Sequence, residues 1–282
     1  VANSPGRPTI KSRQVATELR RLRKQAGLST TRVGKLLGMS QSMVSRVELG
    51  TRGLKPDEVA AMLGLYRVPA ARREELMTLV RESAEPGWWV ARYGDQLPQQ
   101  WQALIGYEST ATKILNYEPI GIPGLLQTAD YARARIIGTA EYVLSDTELD
   151  AKVSARLGRQ AILSRSTPPE LTVLIHEPAL MLPVGGEDVM RRQLRHLLDM
   201  ADRPAITVRI VPLAAGPHPG LDGAFVIMEM PDEPPVLYQE SKTHNAFLEE
   251  KDLAVFKLAW TKIQAAALSP ADSMERIAAD LA

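Results

Sequence analysis

Four polar side chains, Gln41, Ser42, Ser45 and Arg46, recur at i, i+1, i+4 and i+5, a spacing that gathers them on one face of a helix. A glutamine donates and accepts at once, so Gln41 can bind an adenine edge in bidentate fashion. Arg46, one turn later, can hold guanine O6 and N7. Ser42 can reach base or phosphate, and Ser45 is a further base contact. Lys24, Thr30, Arg32, Lys35 and Arg52 carry the cations and hydroxyls that suit phosphate oxygens, which set register without reading sequence. A solvated polar face would look the same in isolation, so the surrounding elements must decide.

Those elements are legible. Val15, Leu19, Leu22 and Ala26 recur at helical spacing from about Arg13, and Gly27 stops that helix. Ser29 caps a second helix to about Leu37, stapled by Leu28 and Val33. Gly38, Met39 and Ser40 form a three-residue turn, with Ser40 capping a third helix that ends at Gly50. Two short helices joined in this way describe a helix-turn-helix. Val33, Leu36, Leu37, Val44 and Val47 should share its core. Glu48 should lie on the buried side of the third helix, in a structural ion pair with Arg23. Helices over 57–66 and 70–84 complete an all-α domain.

The 282 residues carry 34 basic and 33 acidic side chains, a net +1 that would argue against a polyanion partner. The sum conceals a segregation. Residues 1–83 hold 16 Lys+Arg against 7 Asp+Glu, and residues 84–282 hold 18 against 26. Within the first 56 residues, 12 basic side chains face only Glu18 and Glu48. This is an electrostatic footprint for phosphates. The absence of cysteine excludes a disulfide framework and thiolate chemistry. No apolar run is long enough to span a bilayer, and a cytoplasmic protein without membrane association is expected.

Residues 1–11 read as a flexible arm, 12–84 as the DNA-binding domain and 85–282 as an α+β regulatory or interaction domain. In the last, helices are expected over 97–108, 128–137 and 145–164, with Ser145 and Glu148 forming a capping box. Tyr117 to Thr128 reads as a loop. Strands are expected at 171–176, 206–211, 224–230 and 236–239, a helix at 187–200, and closing helices at 251–267 and 270–281. Three of four tryptophans and four of seven tyrosines fall in 88–131. Trp88, Trp89, Tyr93, Tyr117, Leu125 and Tyr131 are therefore either a ligand or partner groove or interdomain packing. Arg156, Arg159 and Gln160 either clamp an anion or make ordinary ion pairs. His176, His196, His218 and His244 share no metal-ligand spacing, and neither a phosphate-cradling loop nor a nucleophile elbow occurs. No metal, no cofactor and no enzymatic activity are expected.

The run Leu36-Leu37-Gly38-Met39-Ser40-Gln41-Ser42-Met43-Val44-Ser45-Arg46-Val47-Glu48-Leu49-Gly50 resembles the phage-repressor-like, XRE-type helix-turn-helix. The resemblance implies a five-helix domain with Gln41, Ser42 and Arg46 at base-contacting positions. Thr30 and Thr31 stand where that family often opens its second helix with Gln or Asn, and Leu49 replaces a usual polar residue. Trp88-Trp89, Tyr117-Glu118-Pro119, Pro123 to Thr128, Tyr131 to Ala134, Arg156, Arg159-Gln160, His176-Glu177 and Val211-Pro212-Leu213 resemble the companion domain of WhiJ-like and Scr-type antitoxin-like actinobacterial regulators. That likeness implies a regulator of transcription with a small partner protein encoded by the adjacent gene. One recognition helix touches few bases, so a homodimer on a palindromic operator is expected. The alternative is a second domain that senses a small molecule; an enzyme fused to a DNA-binding domain is a lesser one.

Overall fold

In a computed structural model, residues 10–48, 53–83, 99–231, 233–240, 246–248 and 250–281 are described. The chain separates into two compact units, residues 1–92 and 93–282. An all-helical unit is followed by one that combines helices with a mixed sheet.

The first unit contains α1 (Ile10–Gln25), α2 (Thr30–Leu37), α3 (Gln41–Glu48), α4 (Pro56–Leu65) and α5 (Ala70–Ser83). α1 takes in Ile10 and Lys11, which the sequence assigns to the arm. Ser29 caps α2 by accepting from the Arg32 amide at 3.1 Å, and Ser40 Oγ accepts from the Met43 amide at 3.1 Å. Between them Gly38 adopts φ 66°, a left-handed conformation that glycine enters without a Cβ penalty. Gly34 meets a second constraint. A Cβ there would lie 2.5 Å from the Met39 carbonyl oxygen, so its hydrogen lets the turn close against α2.

Val15, Leu19, Val33, Val44, Val47, Val59, Met62 and Leu63 form the buried core, with Leu37 partly buried against it. Leu36 does not join them. It is 46% exposed, because the buried stripe of this two-turn helix is filled by Val33 and Gly34 and position 36 faces away.

Beneath α3, Arg23 Nε donates to both Glu48 carboxylate oxygens, at 2.7 and 2.9 Å. Arg23 Nη1 also donates to the Leu28 carbonyl at 2.6 Å, and Tyr66 Oη donates to Glu48 at 3.5 Å. One carboxylate therefore connects α1, the α1–α2 turn, α3 and the end of α4. The hydrogen bond to Glu48 holds the Arg23 guanidinium above its ordinary pKa, against burial.

The second unit begins with α6 (Gln99–Thr110) and β1 (Lys113–Glu118), then α7 (Ala129–Thr139), α8 (Asp146–Arg159), β2 (Glu170–His176) and the single turn α9 (Pro178–Met181). It continues through α10 (Glu187–Ala201), β3 (Ile206–Val211), β4 (Phe225–Met230), β5 (Glu233–Gln239), β6 (Ala246–Leu248), α11 (Glu250–Ala266) and α12 (Pro270–Ala279). The strand order is β3-β2-β1-β4-β5-β6. The first three strands are parallel, and β4, β5 and β6 add antiparallel neighbours.

The sequence reading omits β1 and β6. β1 occupies the middle of the sheet, and its Asn116 and flanking Lys113 and Glu118 interrupt the alternation that would reveal a strand. The loop expected from Tyr117 therefore starts after Glu118. On one face of the sheet, Tyr117, Leu174, Phe225 and Leu237 pack with Leu253, Trp260 and Ile263 of α11. Among the described residues no helix is long and apolar enough to cross a membrane.

Removing the buried carboxylate would leave Arg23, whose side chain is only 12% exposed, without its partner. Glu48→Ala is expected to destabilise the helical unit by about 3–5 kcal/mol. Denaturant unfolding of the full chain followed by circular dichroism checks this, and unchanged unfolding would show that the pair is dispensable.

Candidate functional sites

The exposed face of α3 presents Gln41, Ser42 and Arg46 to solvent, with Ser45 half-buried. Neighbours orient them. Gln41 Nε2 donates to Thr30 Oγ1 at 3.3 Å, Ser42 Oγ lies 3.1 Å from Ser40 Oγ, and Arg46 Nε approaches the Ser42 carbonyl at 3.4 Å. Thr30 at the start of α2 thus braces the first residue of α3 directly. Gln41 retains its carbonyl oxygen for a base edge.

The structure also divides the cations, which the sequence could not do. Arg21 and Arg72 pair with Glu18, and Arg81 pairs with Glu74. Lys24, Arg32 and Lys35 are exposed and make no ion pair among the described residues. They remain available to phosphates. Arg52 lies outside the described residues.

A second candidate site lies in the α+β unit. A cavity of about 560 Å³ opens between the ends of β1, β4 and β5, α6, α7, α8 and the loop after β1. Ligand pockets fall within about 300–1,000 Å³. The loop is rigidly held despite its prolines and glycines. Gln127 Nε2 donates to the Ile122 carbonyl at 2.7 Å, the Ile122 amide donates to Tyr131 Oη at 3.1 Å, and Gln160 Nε2 donates to the Gln127 carbonyl at 2.7 Å. From the far side, the fully buried Gln193 accepts from the Thr128 amide and donates to the Leu126 carbonyl, each at 2.7 Å.

Of the residues expected to form a ligand or partner groove, Leu125, Arg156 and Arg159 line the cavity. Tyr117 and Tyr131 do not. Both are fully buried, Tyr117 against Phe225 and His218 and Tyr131 beneath the loop, because each side chain is consumed by packing. Trp88, Trp89 and Tyr93 lie outside the described residues.

The two arginines divide their roles. Arg159 Nε and Nη2 donate to the two oxygens of Glu108 at 2.7 and 2.6 Å, a buried bidentate pair. Burial opposes the Arg159 cation, but the Glu108 charge and hydrogen bonds raise its pKa overall. Arg156 is different. Its guanidinium lies 4.8 Å from the Trp101 ring centroid, and Nη1 donates to Gln127 Oε1 at 3.1 Å. Burial, together with the neighbouring Arg159 charge, lowers its pKa to about 10.

Glu118, at the end of β1, also lines the cavity. Burial pushes its carboxyl up to about 7, against the pull of Arg135 and a 3.5 Å hydrogen bond from Asn116. Glu118 stands in a motif of the family resemblance without an assigned role, and Arg135 and Glu240 escape a sequence reading. None stands in a recognisable spacing, and they converge only through the sheet order.

His176 and His218 lie with ring centroids 5.0 Å apart, and burial lowers both pKa values. Glu177 beside them is engaged by Arg276 and the Leu213 amide. Among the described residues no group of three or more His, Asp or Glu could hold a metal ion.

Residues 14–76 match the family model of a helix-turn-helix domain, which marks a DNA-binding regulator of transcription. Residues 101–279 match the model of a domain of unknown function, DUF5753, and with more than half of its length covered the chain belongs to that family. No curated protein and no solved structure matches the chain.

The raised Glu118 pKa sets a direction for stability. Between about pH 4.5 and 7 the folded state holds a proton that the unfolded state has released, so this group lowers stability as pH rises through that window. Glu118→Gln is expected to remove that decline, worth about 3 kcal/mol at most. Unfolding curves of both proteins at pH 5 and pH 8 measure it; the stability gap should widen in favour of the variant at pH 8.

Proposed function

We propose that the protein is a cytoplasmic, sequence-specific regulator of transcription that reads operator DNA by placing α3 in the major groove. The observation that carries this is the combination of a capped, braced helix exposing Gln41, Ser42 and Arg46 with Lys24, Arg32 and Lys35, which are exposed and make no ion pair among the described residues. Gln41 and Arg46 are the residue types that read adenine and guanine in bidentate fashion, and the cations supply affinity that falls with salt. Two copies on a roughly palindromic site, half-sites about 34–36 Å apart, would supply the specificity that one short helix lacks.

The α+β unit controls this reading. Its acidic balance, and the likeness of its motifs to those of the WhiJ-like and Scr-type antitoxin-like regulators, support binding of a small partner protein encoded nearby. A second reading, a small-molecule sensor, is favoured by the cavity and its charged lining. Neither reading assigns the chain an enzymatic activity.

In gel shifts on DNA selected from a random pool, Gln41→Ala and Arg46→Ala should each cost about 1–3 kcal/mol and relax sequence preference. Arg32→Ala should weaken all sequences alike and reduce the salt slope by about 1. Wild-type affinity and preference in both α3 variants would defeat the assignment.

A further inference from the structure

The cavity of the α+β unit is lined by four basic and four acidic side chains, but their hydrogen-bonding demands are unevenly met. Glu108 and Arg159 satisfy each other. Arg156 has one hydrogen bond, from Nη1 to a neutral amide, its Nε is covered without an acceptor, and Nη2 has none among the described residues. Arg135, also in the lining, likewise has no side-chain hydrogen bond or ion pair among them, and its guanidinium lies across Gly121, where a Cβ would collide with Nη1. Lys152 stands over Trp101 at 5.7 Å from the ring centroid, without an ion pair among the described residues.

The facing carboxylates are Glu118 in the wall and Glu141 and Glu240, which are exposed. The two charge types differ in what they can surrender. A buried carboxyl relieves its burial by taking up a proton, and Glu118 does so near neutral pH. An arginine cannot shed its charge, so its need for an acceptor persists. Arg156, beyond its one bond, and Arg135 lack acceptors among the described residues, a demand that an anion would meet.

Its class follows from the walls. Leu104, Ile114, Ile122, Leu125, Ile136 and Leu144 supply an apolar part of the lining beside Asn116, Thr139 and Tyr142, so the ligand's body has apolar surface to bury. The charge of Glu240, which acts on both Arg156 and Glu118, would repel a dianion, whereas a single negative charge is matched. The neutral form of Glu118 can donate to such a group. We propose that this cavity binds a small organic monocarboxylate with an apolar body, its carboxylate received by Arg156 and Arg135. Trp101 holds the Arg156 guanidinium in place from one face, and Gln127 fixes the edge that the ligand does not use.

This inference rests on the sensor reading, and its test is separable from it. Isothermal titration of the full chain, without DNA, compares 1-naphthylacetate, its uncharged analogue 1-naphthylacetamide and 1-naphthyl phosphate. The carboxylate is expected to bind at least tenfold more tightly than the other two. Arg156→Gln and Arg135→Gln are each expected to reduce it to the level of the amide; the second variant loses no internal hydrogen bond and keeps the test valid if the first fails to fold. Equal binding of carboxylate and amide, tighter binding of the phosphate ester, undiminished binding by the variants, or no saturable binding at millimolar concentration overturns the proposal. Carboxylate binding that leaves operator affinity unchanged would defeat the sensor reading alone.

Discussion

Glu48 is a carboxylate with 4% of its surface exposed in a helical unit otherwise rich in positive charge, and the position of the reading helix depends on how that charge is met. A buried carboxylate is tolerated only when paired and hydrogen-bonded. Arg23 meets it from α1 and ties the same guanidinium to the turn before α2, while Tyr66 reaches it from the end of α4. Apolar contacts of Val33, Val44 and Val47 supply most of the burial, but such contacts are non-directional. The ion pair adds direction. It fixes the rotation of α3, and so which residues face solvent.

The second unit uses a similar device for a different end. Glu108 and Arg159 neutralise each other between α6 and α8, and the glutamines at 127, 160 and 193 hold the loop that closes one wall of the cavity. The wall is therefore built independently of any ligand. Arg156 joins this network only through its bond to Gln127, and Arg135 makes no side-chain hydrogen bond among the described residues; both line a volume large enough for a small molecule. A site assembled from spare arginines on a rigid frame is pre-organised, which lowers the ordering cost of binding.

Much of this was legible in the sequence, for reasons that differ by residue. Ser29, Gly38, Ser40 and Ser145 announce helix ends because capping is local chemistry, and the capping box at Ser145 and Glu148 forms as its spacing requires. The pairing of Glu48 with Arg23 follows from one acid among many bases on the inward side of a helix. β1 was not legible, since a central strand bearing Lys113, Asn116 and Glu118 matches no simple period. Tyr117 and Tyr131 misled for a related reason: aromatic residues mark sites and cores alike, and only burial distinguishes them. The cavity needed the tertiary fold, because Glu118, Arg135, Arg156 and Glu240 meet through strand order. Likewise, sequence could not separate Arg32, which makes no ion pair among the described residues, from the paired Arg21, as counter-charges are chosen in space.

Operator reading by this protein depends on α3 meeting bases in the major groove. Dimethyl sulfate footprinting of the full chain on DNA selected from a random pool tests this most directly, since the reagent methylates guanine N7, the atom assigned to Arg46. Protection of guanines in two clusters about one helical turn apart, lost in Arg46→Ala, is the predicted result. Unprotected N7 atoms on DNA that the protein demonstrably occupies would contradict it.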